Sequence, residues 1–413
     1  MTTDTRATWQ KVQEIIAHQM TVLLEREDLI PCVWSNRIAQ QHLVMIGGPG
    51  SGKTMVARNT FEHIVADRPP FEATLDETSD PGVLFGPTDV KAIAEGLGQR
   101  RLIEGMLPEA YDALVDEIMN ANGPTLRSMQ PVLNERLFHQ GRLTIEANLR
   151  SLLAGTNLWN MDERLNAVRD RLHQRHFVEP IRDREKQMQM AAQAVERLDK
   201  VGRGKATEVS KNLATVTIEE LDDAHHAALQ IPMSDRVIEA FFDLREELAD
   251  VGGVTVSDRR TQDGMVATLA TAWVRGHDEV TIGDMDVLQH MWWDDPDQRL
   301  EARRIILGVA NPGDKFAMDA FDDLKDLRKA YKDMQGLTGS AQNNEGVEIS
   351  KDLGQLIAGA QAKLTEAHEQ GWPTEKLDRL IAQADDLVHE IKTTVYGIGA
   401  PGSLALTGVQ PRF

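Results

Sequence analysis

Gly47-Gly48-Pro49-Gly50-Ser51-Gly52-Lys53-Thr54 follows the apolar run from His42 to Ile46 and opens a stretch, residues 54–66, of helical periodicity. These eight residues fit G-x-x-x-x-G-K-[ST] in the setting that gives the pattern meaning, a buried strand before and a helix after. Glycines permit a tight loop whose backbone N–H groups converge on phosphate oxygens. The helix that follows adds the positive end of its dipole. The pattern predicts that Gly47 to Thr54 cradle a nucleoside triphosphate, ATP. Lys53 reaches its β- and γ-phosphates, and the Thr54 hydroxyl holds Mg²⁺.

Such a loop needs an acidic partner at the end of a neighbouring strand. Ala113-Leu114-Val115 is a short apolar run ending at Asp116-Glu117. Asp116 is the expected second metal ligand, and Glu117 the group that orients or deprotonates the attacking water. Ser151-Leu152-Leu153-Ala154-Gly155 is the next such run, and Asn157 just past its end reaches the same water. Phe177-Val178-Glu179-Pro180 reads as a further short strand. Helices are expected over 7–28, 124–138 and 161–172, whereas 71–110 reads as irregular, broken at Pro81-Gly82 and Gly86-Pro87. Strands alternating with helices predict an α/β fold, a three-layer parallel sheet over residues 1–182.

Beyond 182 the strand signals stop. Residues 183–298 read as an all-helical second domain, broken near Gly202-Arg203-Gly204 and Gly252-Gly253. Residues 299–396 read as a C-terminal helical extension. Its polar stretch 335–348 is expected to be a linker, and 350–395 a helical hairpin turning at Gly371-Trp372-Pro373. A tail, 397–413, closes the chain.

The chain has 413 residues, 41% apolar and 27% charged, enough for two or three domains with sizeable cores. Its 65 acidic and 45 basic residues give a net charge of -20, which opposes general binding to nucleic acid or anionic membrane. Cys32 is the single cysteine, so no intrachain disulfide forms; that fits a reducing cytoplasm and gives no expectation of a metal–thiolate site. No stretch approaches the ~18 apolar residues of a membrane span. His173 and His176 are spaced as a metal pair without an evident third ligand. His225-His226 is expected to face solvent or pack between helices, and Trp292-Trp293 to anchor a helix end.

Taken together, these residues resemble the MoxR branch of the AAA+ ATPases, and within it the RavA group. The likeness rests on an ordered series: Leu84-Phe85-Gly86-Pro87; Glu104-Gly105-Met106-Leu107-Pro108-Glu109-Ala110; Leu114-Val115-Asp116-Glu117-Ile118; Leu133-Asn134-Glu135-Arg136 with Phe138 and Gly141; Ala154-Gly155-Thr156-Asn157; Asp170-Arg171-Leu172; and Ser257-Asp258-Arg259-Arg260. It covers roughly residues 10–296. The resemblance implies a P-loop AAA+ sheet of order 5-1-4-3-2, a helical lid, and a head-to-tail ring, six subunits in the family, with nucleotide between neighbours. Lys53 and Thr54 match Walker A, Asp116 and Glu117 match Walker B, and Asn157 matches sensor 1. Arg171 stands at the arginine-finger position, with Arg164, Arg169 and Arg175 as rivals. Arg259 stands at sensor 2, with Arg260 as its rival. Residues 82–110 correspond to the helix-2 insertion, read as a mobile pore or partner-facing loop in which Val83, Leu84, Phe85, Leu97 and Leu102 supply apolar contacts.

The function this implies is ATP hydrolysis coupled to remodelling of a protein partner, characteristically one bearing a von Willebrand factor A domain. A nucleotide-dependent scaffold and a nucleic-acid motor are the competing readings, the motor disfavoured by the net charge.

Overall fold

His42–Ile46 (β1) is buried at every position because it lies inside a sheet covered on both faces. The other strands of that sheet are Phe71–Thr74 (β2), Asp112–Asp116 (β3), Ser151–Thr156 (β4) and Gln174–Phe177 (β5). Their order is β5-β1-β4-β3-β2, and every pairing is parallel. This is the 5-1-4-3-2 arrangement that the resemblance implied. The structure is a computed structural model describing residues 3–396 apart from 97, 99, 141–142, 203–212 and 371. Leu97, Gly141, Arg203-Gly204, Gly371 and the tail, all singled out in the sequence, lie outside the described residues.

Register decides where the chemistry goes. Ile46 pairs with Thr156, and Thr74 with Asp116, so the carboxyl ends of β1, β3 and β4 line up along one edge. The glycine-rich loop, Asp116-Glu117 and Asn157 all leave the sheet there, where α/β sheets collect ligands. Leu29–Ile38, Thr3–Val22, Ile218–Leu229 and Asp258–Arg275 are helices that pack one continuous core with β1, through Ile15, Trp34, Leu43, Leu221 and Trp273. Val216–Thr217 also pairs in parallel with Ile64–Val65. The segment after residue 182 therefore shares the core of the sheet.

Several elements differ from the sequence reading. β2 lies in the segment read as irregular. Phe71-Glu72-Ala73-Thr74 buries only Phe71 fully, so this edge strand offers no apolar run. β5 begins three residues before the expected strand, because its buried residues Gln174, Arg175 and His176 are polar. The helix Gly123–Glu135 ends where Arg136 takes a positive φ of 56°. A β-hairpin follows, Leu137–Gln140 against Leu143–Glu146. Residues 161–172 hold a 3-10 turn, Glu163–Leu165, and one short helix, Asn166–Arg169, in place of a long one.

The insertion packs at its base and exposes part of its apolar surface. Phe85 stacks on Phe138 with ring centroids 4.8 Å apart, and Arg101 N–H donates to Gln140 Oε1 at 2.8 Å. Leu84 and Leu107 are buried, whereas Val90, Ile93 and Leu102 are exposed.

The chain divides into two compact units between Ile305 and Ile306. In the second, helices Pro312–Met334, Ser340–Gln370 and Glu375–Tyr396 form a bundle around Leu324, Met334, Leu353, Ala360, Leu380 and Ile391. The expected hairpin thus has a third helix against it. Helix begins at Ser340, so most of the expected linker is helical. Among the described residues no helix is long and apolar enough to cross a membrane.

Candidate nucleotide-binding site

The loop turns into its helix through Gly52, whose φ of 92° lies in the left-handed region that a side chain strongly disfavours. Lys53, first residue of the helix Lys53–Phe61, bends back over the loop. Its Nζ donates to Gly47 O at 2.6 Å, Gly48 O at 3.2 Å and Asn157 Oδ1 at 3.1 Å. Thr54 Oγ1 donates to Asp116 Oδ2 at 3.4 Å, and Glu117 N–H to Asp116 Oδ1 at 3.1 Å. Asp116 fits here because the next strand carries Gly155. A Cβ on that glycine would stand 2.1 Å from Asp116 Oδ1.

Glu117 adopts φ 53° and ψ 35°, left-handed for a residue with a side chain. Such backbone is costly and recurs where a side chain must be aimed. Asn120 Nδ2 donates to Glu117 Oε2 at 2.9 Å, across the 3-10 turn Ile118–Asn120. Arg26 ties the loop down by donating to Ser51 O and Glu179 O, each at 2.8 Å.

These residues fit a magnesium–triphosphate. A cation, a hydroxyl and a carboxylate converge on a loop at a helix N-terminus, and the buried Ser51 Oγ has no hydrogen-bond partner among the described residues. Lys53, Thr54, Asp116, Glu117 and Asn157 are brought together as the spacing predicted.

Arg171 and Arg259 stand elsewhere. Arg171 precedes β5, and His173 N–H donates to His42 O, the carbonyl of the first residue of β1. Arg171 is therefore at the amino end of strands whose carboxyl ends carry the loop, about 15 Å of strand away. Arg259, in the lid helix Asp258–Arg275, joins it: Arg171 Nη1 lies 3.2 Å and Arg259 Nη1 3.9 Å from the same Asp170 Oδ2. With Asp263, Gln40 and Arg136 they line an open cleft of about 290 Å³. Burial pushes the Asp263 carboxyl up to about 6, against the pull of Arg259. Burial likewise draws His173 down to about 3.

The rival arginines are occupied. Arg175 is buried between Trp159 and Trp293, its guanidinium 5.2 and 5.3 Å from their ring centroids, and donates to Trp293 O. Arg169 donates to Asn160 O at 2.6 Å and to Asp162 O at 3.1 Å. Arg260 donates to Asp294 Oδ1 at 2.9 Å and to Trp293 O at 3.1 Å, with 10% of its side chain exposed against 47% for Arg259. The side chain of Arg164 lies outside the described ones.

Comparison with known proteins bears on the fold and the family. Residues 10–222 match the family model described as the MoxR domain in the MoxR-vWA-beta-propeller ternary systems, and 234–306 match an AAA lid domain. The chain belongs to the MoxR family of AAA+ ATPases. Two relatives of this ATPase are uncharacterised proteins of Methanocaldococcus jannaschii. MJ0079 is 26% identical over 92% of this chain and 97% of its own length, and MJ0812 is 26% identical over 88% and 93%. Alignments that long extend past residue 305 into the C-terminal unit. A crystal structure of a candidate ATPase from Cytophaga hutchinsonii superposes with a TM-score of 0.58 at 14% identity, covering 74% of this chain and 95% of that one, a likeness of fold.

Three supporting residues of the site escaped the sequence reading. Gly155 was read as the end of a strand and as part of the Ala154-Gly155-Thr156-Asn157 series, without its part in making room for Asp116. Asn120 carries no signal of its own in the sequence. Arg26 gave no signal, since its partners are carbonyls distant in sequence.

Proposed function

We propose that this MoxR-family protein hydrolyses ATP with Mg²⁺ at the Lys53–Asp116 site. We further propose that it works as a head-to-tail ring in the cytoplasm, coupling turnover to remodelling of a protein partner. Lys53 binds the β- and γ-phosphates, Thr54 and Asp116 hold the metal, and Asn157 orients the attacking water. Glu117 takes the proton from that water as it attacks. Mg²⁺ held by Thr54 and Asp116 would supply positive charge against that developing on the transferring phosphoryl group. Arg171 and Arg259, placed together at the far edge of the sheet from their own glycine-rich loop, reach the nucleotide of the next subunit. A guanidinium delivered from a neighbour makes turnover depend on assembly.

The observation that carries this reading is the division of one catalytic set between two opposite edges of the sheet. The insertion, with Val90, Ile93 and Leu102 exposed, is the surface offered to the remodelled chain. Partners bearing a von Willebrand factor A domain and a β-propeller follow from the systems for which the matching family model is described. The RavA-like grouping rests on the motif series alone.

Steady-state turnover of the full chain tests the site. Lys53→Ala abolishes hydrolysis together with tight ATP binding. Glu117→Gln retains binding while kcat falls by at least about 10²-fold. Parental turnover in Lys53→Ala overturns the assignment.

A further inference from the structure

Cys32, His176 and His290 come from three parts of the first unit that sequence spacing does not connect. Cys32 is on the helix Leu29–Ile38, His176 on edge strand β5, and His290 ends the 3-10 segment Ile282–His290 that leads into Trp292-Trp293. Cys32 Sγ and one ring nitrogen of each histidine lie within 4.8 Å of one another. The two imidazoles stack with centroids 3.9 Å apart and 23° between planes. His176 is buried, and the other two are half-buried. The sequence offered no third ligand for His176; the fold supplies two.

A thiol and two imidazoles are the donor set of a tetrahedral zinc-type site, in which bonds of about 2.0–2.3 Å hold ligand atoms roughly 3.3–3.8 Å apart. The cluster closes to that size by a movement of about 1 Å, with the two rings fanning out of their stack so that both lone pairs meet at one point. Asp28 stands one helical turn before Cys32 and therefore on the same helix face. Its charge acts on His176 and favours a cation there, whereas Arg299 opposes one. None of these residues belongs to the nucleotide site.

We propose that Cys32, His176 and His290 bind one zinc-class divalent cation, with solvent completing its coordination, and that the cation ties the N-terminal helices and strand β5 to the segment carrying the lid tryptophans. Binding releases the Cys32 thiol proton to solvent and leaves a thiolate on the metal. Three elements distant in sequence are then fixed to one another, so the site acts as a staple independent of nucleotide.

The test uses the full chain, free of nucleotide and stripped of metal by a chelator, titrated with Co²⁺. Because Cys32 is the single cysteine, a thiolate-to-cobalt charge-transfer band in the near ultraviolet reports this site alone. The expected result is a band that saturates at one equivalent and is displaced by Zn²⁺. It is absent in Cys32→Ser, and its midpoint is at least about tenfold weaker in His290→Ala. Zn²⁺ also raises the Tm of the parent and not of Cys32→Ser. No band in the parent, a band indifferent to His290→Ala, or an equal Tm rise in Cys32→Ser overturns the proposal.

Discussion

Glu117 is held twice, by a left-handed backbone and by the Asn120 carboxamide on its Oε2. A general base delivers its rate only when the carboxylate is kept at a fixed distance and angle from the water. Releasing one of the two constraints therefore acts on turnover and not on nucleotide affinity. Asn120→Ala is expected to lower kcat by about tenfold and to leave the KM for ATP within about twofold; a change confined to KM would show that Asn120 merely shapes the loop. Gly155 acts by being small. Gly155→Ala drives a methyl into Asp116 Oδ1, so the carboxylate must leave its place opposite Thr54. The expected outcome is a higher Mg²⁺ requirement, read as a shift in the metal dependence of turnover. The motif residues were legible in the sequence because backbone geometry and phosphate chemistry allow few alternatives at Gly52, Lys53 and Asp116. Asn120 and Gly155 were not, because their parts depend on which atoms the fold brings against them.

Among elements, the central strands β1, β3 and β4 announced themselves as apolar runs, being covered on both faces. The edges did not. β2 has solvent on part of its surface, and β5 hides its nature because Arg175 and His176 are buried against Trp293 and His290, contacts fixed by residues more than a hundred positions away. Polar burial of this kind follows from tertiary packing, which no local pattern encodes. The lid helix Asp258–Arg275 gives the same lesson in Asp263, whose carboxyl is raised to about 6 chiefly by burial. A carboxyl whose folded pKa lies above its unfolded value contributes stability that is fully present below the unfolded value, near 3.8, and is lost as pH rises through about 6. The loss is at most about 3 kcal/mol, from roughly two pKa units at about 1.4 kcal/mol each. Chemical denaturation of the parent and of Asp263→Asn between pH 4 and 8 should give curves whose difference falls across pH 4–6 and is flat above 7. Parallel curves would mean that Asp263 titrates like a solvated carboxylate.

For the molecule as a whole, the proposed catalytic set is divided between two edges of the sheet. Lys53, Thr54, Asp116, Glu117 and Asn157 occupy the carboxyl edge of the sheet, and Arg171 with Arg259 the amino edge, so one subunit cannot bring both to the same phosphate without unfolding β1. The proposed head-to-tail contact would bring the two together, and repeating it would close a ring when the rotation fits. Two inactive variants should then repair each other. Glu117→Gln keeps both arginines but lacks a working base, and Arg171→Ala keeps the base but lacks a cation to lend. Mixed in equal amounts and allowed to exchange subunits, they place an intact Arg171 opposite an intact Glu117 at about one interface in four. Turnover of the mixture should therefore rise well above either parent, towards about a quarter of the unaltered protein. It should vanish again on dilution below the concentration at which subunits associate. If the mixture gives only the average of its parents, while sedimentation shows mixed assemblies, then Arg171 serves its own chain and the division of the site between neighbours is wrong.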